Sequence, residues 1–103
     1  WELCKGFDNS AAIGTFVPLE QVGGNVQNLD FRLTIDDKEV QRGHTADMLF
    51  RVDDIIAYVS RFMTLKIGDL LFTGTPAGVA PVSIGQHLQG YLGEGKVLDF
   101  NIR

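Results

Sequence analysis

Leu29-Asp30-Phe31-Arg32-Leu33-Thr34-Ile35 changes from apolar to polar at every step, and Asp36-Asp37-Lys38 then leads into Glu39-Val40-Gln41-Arg42-Gly43. Strict alternation with a period of two predicts a strand with one face buried, because successive side chains of an extended backbone point to opposite sides. The charged triplet at 36–38 reads as a hairpin turn and 39–43 as the returning strand. A sheet is therefore the frame on which the rest of the chain is placed.

On the C-terminal side, Val52 to Met63 has the spacing of a helix, with Asp53 and Asp54 in the first turn, where negative charge suits the helix dipole. Ile55, Ile56, Val59, Phe62 and Met63 form its apolar stripe and are expected in the core. Gly68-Asp69 turns the chain into Leu70-Leu71-Phe72, a short apolar run that reads as a strand covered on both faces. Beyond Val79 come short strands and turns: Pro81 to Gly85, His87 to Leu92, the turn Gly93-Glu94-Gly95, and a closing strand from Lys96 to Ile102. On the N-terminal side, Phe16-Val17-Pro18 suggests a strand edge or turn before the Gln21-to-Asn25 loop. Thr45 and Asp47, just after the hairpin, are expected to bond locally to backbone. The predicted class is α+β, a mixed β-sheet roll with one principal helix.

Length and charge narrow the function. The 103 residues allow one domain, and a chain of this size buries roughly 60–70% of its extended surface. A formal net charge of -4 leaves no basic stripe to neutralise phosphates, which argues against nucleic acid and against an anionic membrane surface. The apolar-leaning stretch Val52 to Leu71 is broken by Asp53, Asp54, Arg61, Lys66 and Asp69, so no transmembrane helix is predicted. The single cysteine, Cys4, has no partner for an internal disulfide, and a reducing cytoplasm is the expected compartment. Trp1 is not an initiator Met and the first residues resemble the middle of a motif, so a C-terminal piece of something longer is expected.

The stretch Asp69 to Val79 is the chemical centre of the reading. An apolar run empties there into a turn carrying Thr73, Gly74, Thr75, Pro76 and Gly78. Two hydroxyls spaced two apart, beside glycines that allow close backbone approach, would receive a small anion or carboxylate. A tight turn whose threonines only satisfy backbone groups is the alternative. Lys5, among aromatic and small residues, reads either as a snorkelling side chain or as a fixed ammonium facing an anionic substrate. Cys4 reads as a small buried hydrophobe, and His44 as a structural, hydrogen-bonded residue. No H-E-x-x-H, CxxC or close pair of inward carboxylates is present, so no metal site is assigned within this chain.

Trp1 to Ser10 (WELCKGFDNS), His44 to Phe50 (HTADMLF) and Gly68 to Val79 (GDLLFTGTPAGV), with Gly90-Tyr91-Leu92 through Leu98-Asp99-Phe100 behind them, carry a resemblance in order and spacing. The chain resembles the fumarylacetoacetate hydrolase family, in particular its small acylpyruvate hydrolase and isomerase-like branch. The resemblance implies that residues 1–103 are the C-terminal portion of a single catalytic domain of that family, incomplete at the N-terminus. It implies Mg2+ or Mn2+, with a Glu-x-Glu pair and an Asp as ligands, all upstream of Trp1. The implied reaction is hydrolysis of a C–C bond in an acylpyruvate-like 2,4-dioxo acid through a metal-stabilised pyruvate enolate. By the same resemblance Lys5 is the electrostatic stabiliser, Thr75 anchors the substrate carboxylate, Gly74 brings backbone close and Thr73 stands beside them. A second cation, held in some members near the lysine carbonyl and a hydroxyl four residues on, would here neighbour Asn9. Isomerisation of a 2-hydroxy-dienoate and decarboxylation of oxaloacetate pass through the same kind of enolate and stay open. The implied partners are a small dicarbonyl carboxylate and a second copy of the chain, with Phe31 and Phe100 near the contact. Taken alone, these residues also fit a non-catalytic, dimerising β domain.

Overall fold

The computed structural model describes residues 11–103. The quoted hairpin forms: β1 is Asp30–Ile35 and β2 is Lys38–His44, paired antiparallel. Asp36 and Asp37 join them at φ 50° and 66°. Two successive left-handed residues make the turn whose twist matches that of paired strands, and Asp tolerates this conformation better than most side chains.

Two further strands complete the sheet. β3 (His87–Leu92) pairs with the free edge of β1, and β4 (Gly95–Asn101) pairs with β3. The order is β2-β1-β3-β4, antiparallel throughout. Register places Phe31 opposite Leu92, Leu33 opposite Gly90, Ile35 opposite Leu88, and Leu88 opposite Phe100. These residues line one face. The other face carries Arg32, Thr34, His87, Gln89, Tyr91 and Asp99, with the Arg32 guanidinium 3.7 Å from the centre of the Tyr91 ring. Register shifts at Leu33/Thr34 and Gly90/Tyr91 insert one extra residue each, Val40 in β2 and Val97 in β4.

The helix α1 spans Val52–Ser60, three residues short of the expected end at Met63. Its exit is tightened by bonds from Arg61 N to Tyr58 O and from Phe62 N to Val59 O. Val52, Ile55 and Val59 are half-buried, whereas Ile56, Phe62 and Met63 are exposed. The expected core stripe is thus covered only along its inner side.

The strand expected at Leu70-Leu71-Phe72 does not form. These residues are extended without a ladder and are exposed, Phe72 at 71%. An apolar run predicts burial, but a strand also requires an edge to pair with, and neither edge strand of the described sheet, β2 or β4, pairs with this segment. Pro81 to Gly85 likewise forms no strand; the chain turns at Ile84 and Gly85 and is fastened to the end of the sheet by Gly85 N to Ile102 O and Ile102 N to Gln86 O, both 2.9 Å. Near the N-terminus of the described residues, Thr15 N donates to Val97 O at 2.7 Å, and Leu19–Val22 is a 3-10 turn. Among the described residues Leu88, 7% exposed, is the only buried apolar side chain outside glycine. No described helix is long and apolar enough to cross a membrane.

Candidate functional site

Thr73, Gly74 and Thr75, with Pro76 and Ala77, form one rim of a cleft of about 770 Å3. Its floor is Phe31 of β1 against Gly43 of β2, and its far wall is the segment from Thr45 to Phe50 with Ile55 of α1 behind. The apolar side of the sheet therefore faces the turn that carries the hydroxyls.

The turn is seated on β2 by two devices. Gly78, at φ 106°, lies so close to the strand that a Cβ there would stand 2.7 Å from Val40 O and from Gln41 Cγ. Gln41 Nε2 donates to Thr75 Oγ1 at 2.9 Å, to Pro76 O at 3.2 Å and to Ala77 O at 3.4 Å.

The far wall is held equally firmly. His44 Nδ1 accepts from Ala46 N at 3.0 Å, which leaves Nε2–H to donate to Asn28 Oδ1 at 3.2 Å. Both ring nitrogens are thus engaged in structure, as the sequence reading of His44 expects. Thr45 Oγ1 accepts from Leu29 N at 2.9 Å, a partner sixteen residues away, so the expected local bond is replaced by one to the entry of β1. Gln27 bridges wall and helix: its Nε2 donates to Thr45 O at 2.8 Å and its Oε1 accepts from Val52 N, the first amide of α1, at 2.5 Å. That side chain does for α1 what an N-cap residue does, from a distant segment.

The described lining carries Asp47 and Arg42 as its acidic and basic side chains. Arg42, the only arginine or lysine of the lining among the described residues, bonds to Glu39 through Nη2 at 2.6 Å and Nε at 3.1 Å. Its guanidinium holds the Glu39 carboxyl below the ordinary range, and Glu39 raises Arg42 in return. What this rim offers an anion is therefore hydroxyl and backbone donors rather than an unpaired cation among the described residues.

Lys5 and Asn9, the other expected site residues, and Cys4 lie outside the described residues. His87 is on the opposite face of the sheet, its Nε2 bonded to Asp99 Oδ1, with Lys96 Nζ on Asp99 Oδ2 at 2.9 Å. The Lys96 ammonium first, then His87, pulls the Asp99 carboxyl down to about 2. Among the described residues no three His, Cys, Asp or Glu side chains come together. Gln41, Gln27 and Asn28 were not among the expected residues. A polar amide in an alternating strand or loop looks like any solvent-facing side chain, and its partners are remote in sequence.

The family model described as Fumarylacetoacetate (FAA) hydrolase C-terminal matches residues 1–103. The chain belongs to the fumarylacetoacetate hydrolase family. Among its relatives, the Escherichia coli (strain K12) oxaloacetate tautomerase YcgM is 43% identical over 88 residues, which are 85% of this chain and 40% of that protein. The mitochondrial oxaloacetate decarboxylase of Dictyostelium discoideum is 37% identical over 103 residues, 99% of this chain and 47% of that one. A family structure from Yersinia pestis CO92 superposes with a TM-score of 0.91 at 41% identity, over 100% of this chain and 46% of that one. Maleylpyruvate hydrolase from Sphingobium sp. SYK-6, solved with manganese(II) and pyruvate, gives a TM-score of 0.74 at 29% identity, over 80% of this chain and 31% of that one. The small antiparallel sheet with one helix is thus the fumarylacetoacetate hydrolase-like fold, and the chain spans less than half the length of these relatives.

Proposed function

We propose that the protein takes part in keto–enol chemistry of a small 2-oxo dicarboxylate of the oxaloacetate type, with the Thr73–Ala77 rim receiving the substrate carboxylate. The observation that carries this reading is the Thr75 hydroxyl, set at the cleft rim in a chain 43% identical to an oxaloacetate tautomerase. A carboxylate seated there takes a charge-assisted hydrogen bond from the hydroxyl, and the apolar floor of Phe31 and Gly43 excludes water from its carbon skeleton. Lys5 is assigned the role of electrostatic stabiliser of the enolate. The manganese–pyruvate complex of the maleylpyruvate hydrolase supports a divalent ion, Mg2+ or Mn2+, as cofactor. Its ligands are assigned to the part of the relatives' length that this chain does not span. A second copy of the chain is the proposed macromolecular partner.

Hydrolysis of an acylpyruvate C–C bond is the second reading, favoured by that same hydrolase complex, whose bound pyruvate is what such a cleavage releases. Incubating the full-length protein, with the segment that carries the assigned metal ligands, with oxaloacetate and with an acylpyruvate, each with and without Mg2+ or Mn2+, separates the two. Faster loss of enol oxaloacetate supports the first, and acylpyruvate cleavage alone replaces it with the second. Thr75→Val should raise KM, or the Kd for oxalate, by about 10- to 100-fold, the worth of a hydrogen bond to a charged group. An unchanged value would remove Thr75 from the site. Lys5→Ala should lower kcat/KM by about 100-fold.

A further inference from the structure

We infer that Gln41 is the positioning residue of this anchor: its amide commits the Thr75 hydroxyl to donating into the cleft. The inference rests on the carboxylate-binding reading of Thr75 and goes beyond it by naming what orients the hydroxyl.

A threonine hydroxyl is ambivalent, with one proton to give and two lone pairs to receive. Its direction is decided by its neighbours. Gln41 Nε2 stands 2.9 Å from Thr75 Oγ1, 3.2 Å from Pro76 O and 3.4 Å from Ala77 O. Two of these partners are backbone carbonyls, which only accept. The amide must therefore present its NH2 group to the turn, since its own oxygen there would face two others. An NH2 group donating to Oγ1 occupies a lone pair of the hydroxyl, and the hydroxyl proton cannot point back along that bond. The proton is left for the cleft, whose rim Thr75 forms. Donation into a hydroxyl oxygen also strengthens that hydroxyl as a donor.

The strand supplies the reach. Gln41 pairs with Leu33 immediately beside the extra residue Val40, and Gly78 lets the turn close onto this point of β2. Gln41 itself is not placed to touch a ligand in order to act; it works through Thr75 and through the shape of the turn.

The test is titration of the 15N-labelled full-length protein, which carries the assigned metal ligands, with oxalate in the presence of Mg2+, for wild type, Gln41→Glu, Gln41→Met and Thr75→Val. Gln41→Glu keeps size but turns the donor into an acceptor at neutral pH, drawing the Thr75 proton inward. Its Kd should rise about 10- to 100-fold, matching the loss in Thr75→Val. As pH falls through about 4.3 the new carboxyl gains a proton it can donate, and affinity should recover in this variant alone. A purely structural role for Gln41 predicts no such recovery. Gln41→Met keeps the length without donors or charge, and should weaken binding at every pH; it also serves if Gln41→Glu fails to fold. Wild-type affinity in both Gln41 variants, with Thr75→Val weakened, overturns the role of Gln41 and leaves the anchor standing. Wild-type affinity in Thr75→Val, or no oxalate binding by the wild type, overturns the anchor and this inference together.

Discussion

Gly74 and Gly78 lie four residues apart in one turn, both with positive φ, 91° and 106°, yet they are glycines for different reasons. At Gly74 an added Cβ meets nothing within 4 Å, so only the backbone conformation resists a side chain. At Gly78 the same Cβ would collide with Val40 O, a backbone atom of the sheet. Gly74→Ala should therefore cost about 1–2 kcal/mol of stability, the ordinary penalty of a left-handed L-residue. Gly78→Ala should cost more, and should also weaken oxalate binding by lifting Thr75 away from Gln41. Urea unfolding of both variants checks the ranking; equal costs would mean that the turn does not rest on β2 as described.

At the scale of the element, the two hairpins are held by different chemistry. In the first, Asp36 and Asp37 both accept left-handed backbone, but Asp36 Oδ1 also accepts from His87 N at 2.9 Å and so ties the turn to β3. Asp37→Gly should raise stability by about 0.5–1 kcal/mol by relieving its strained φ. Asp36→Gly should not, because it loses the bond to β3. In the second, Asp99 on β4 gathers Lys96 from its own strand and His87 and Gln89 from β3. Its folded-state value of about 2 lies below the ordinary 3.8. A depressed carboxyl stabilises the fold in full above 3.8, and the contribution disappears as pH falls through about 2. Lys96 is raised above 10.5, so its share is present below that value and fades above it. Denaturant midpoints measured across the acid range should fall for the wild type and stay flatter for Asp99→Asn.

For the molecule as a whole, exposed apolar surface is the dominant fact. Among the described residues Leu49 is 96% exposed, Ile67 108% and Ile84 82%, and Phe16, Phe50, Phe72 and Val79 are each more than two thirds exposed. Phe31 and Phe100, by contrast, are half-buried, Phe31 beneath the cleft. The chain by itself should bind a hydrophobic dye and associate with rising concentration. Sedimentation velocity showing a dye-free monomer at high concentration would contradict this.

Local patterns were enough for some of this and not for the rest. The alternation in 29–35, the acidic turn, the strand from His87 and the start of α1 depend on interactions between near neighbours, so the amino-acid sequence by itself determined them. The Thr-Gly-Thr-Pro block, with the two other blocks, was likewise sufficient for the family. Tertiary structure decided what residues far apart in sequence do together. It left Leu70 to Phe72 unpaired, because a strand is defined by a partner edge and not by its own hydrophobicity. It exposed Phe62 and Met63, because a helical stripe is buried only where something faces it. It set Gln27 on the first amide of α1 and Gln41 on Thr75, contacts of 25 and 34 residues' separation. Side-chain amides carry no periodic signal, and only the register of β2 against the turn made one of them the orienting partner of the hydroxyl.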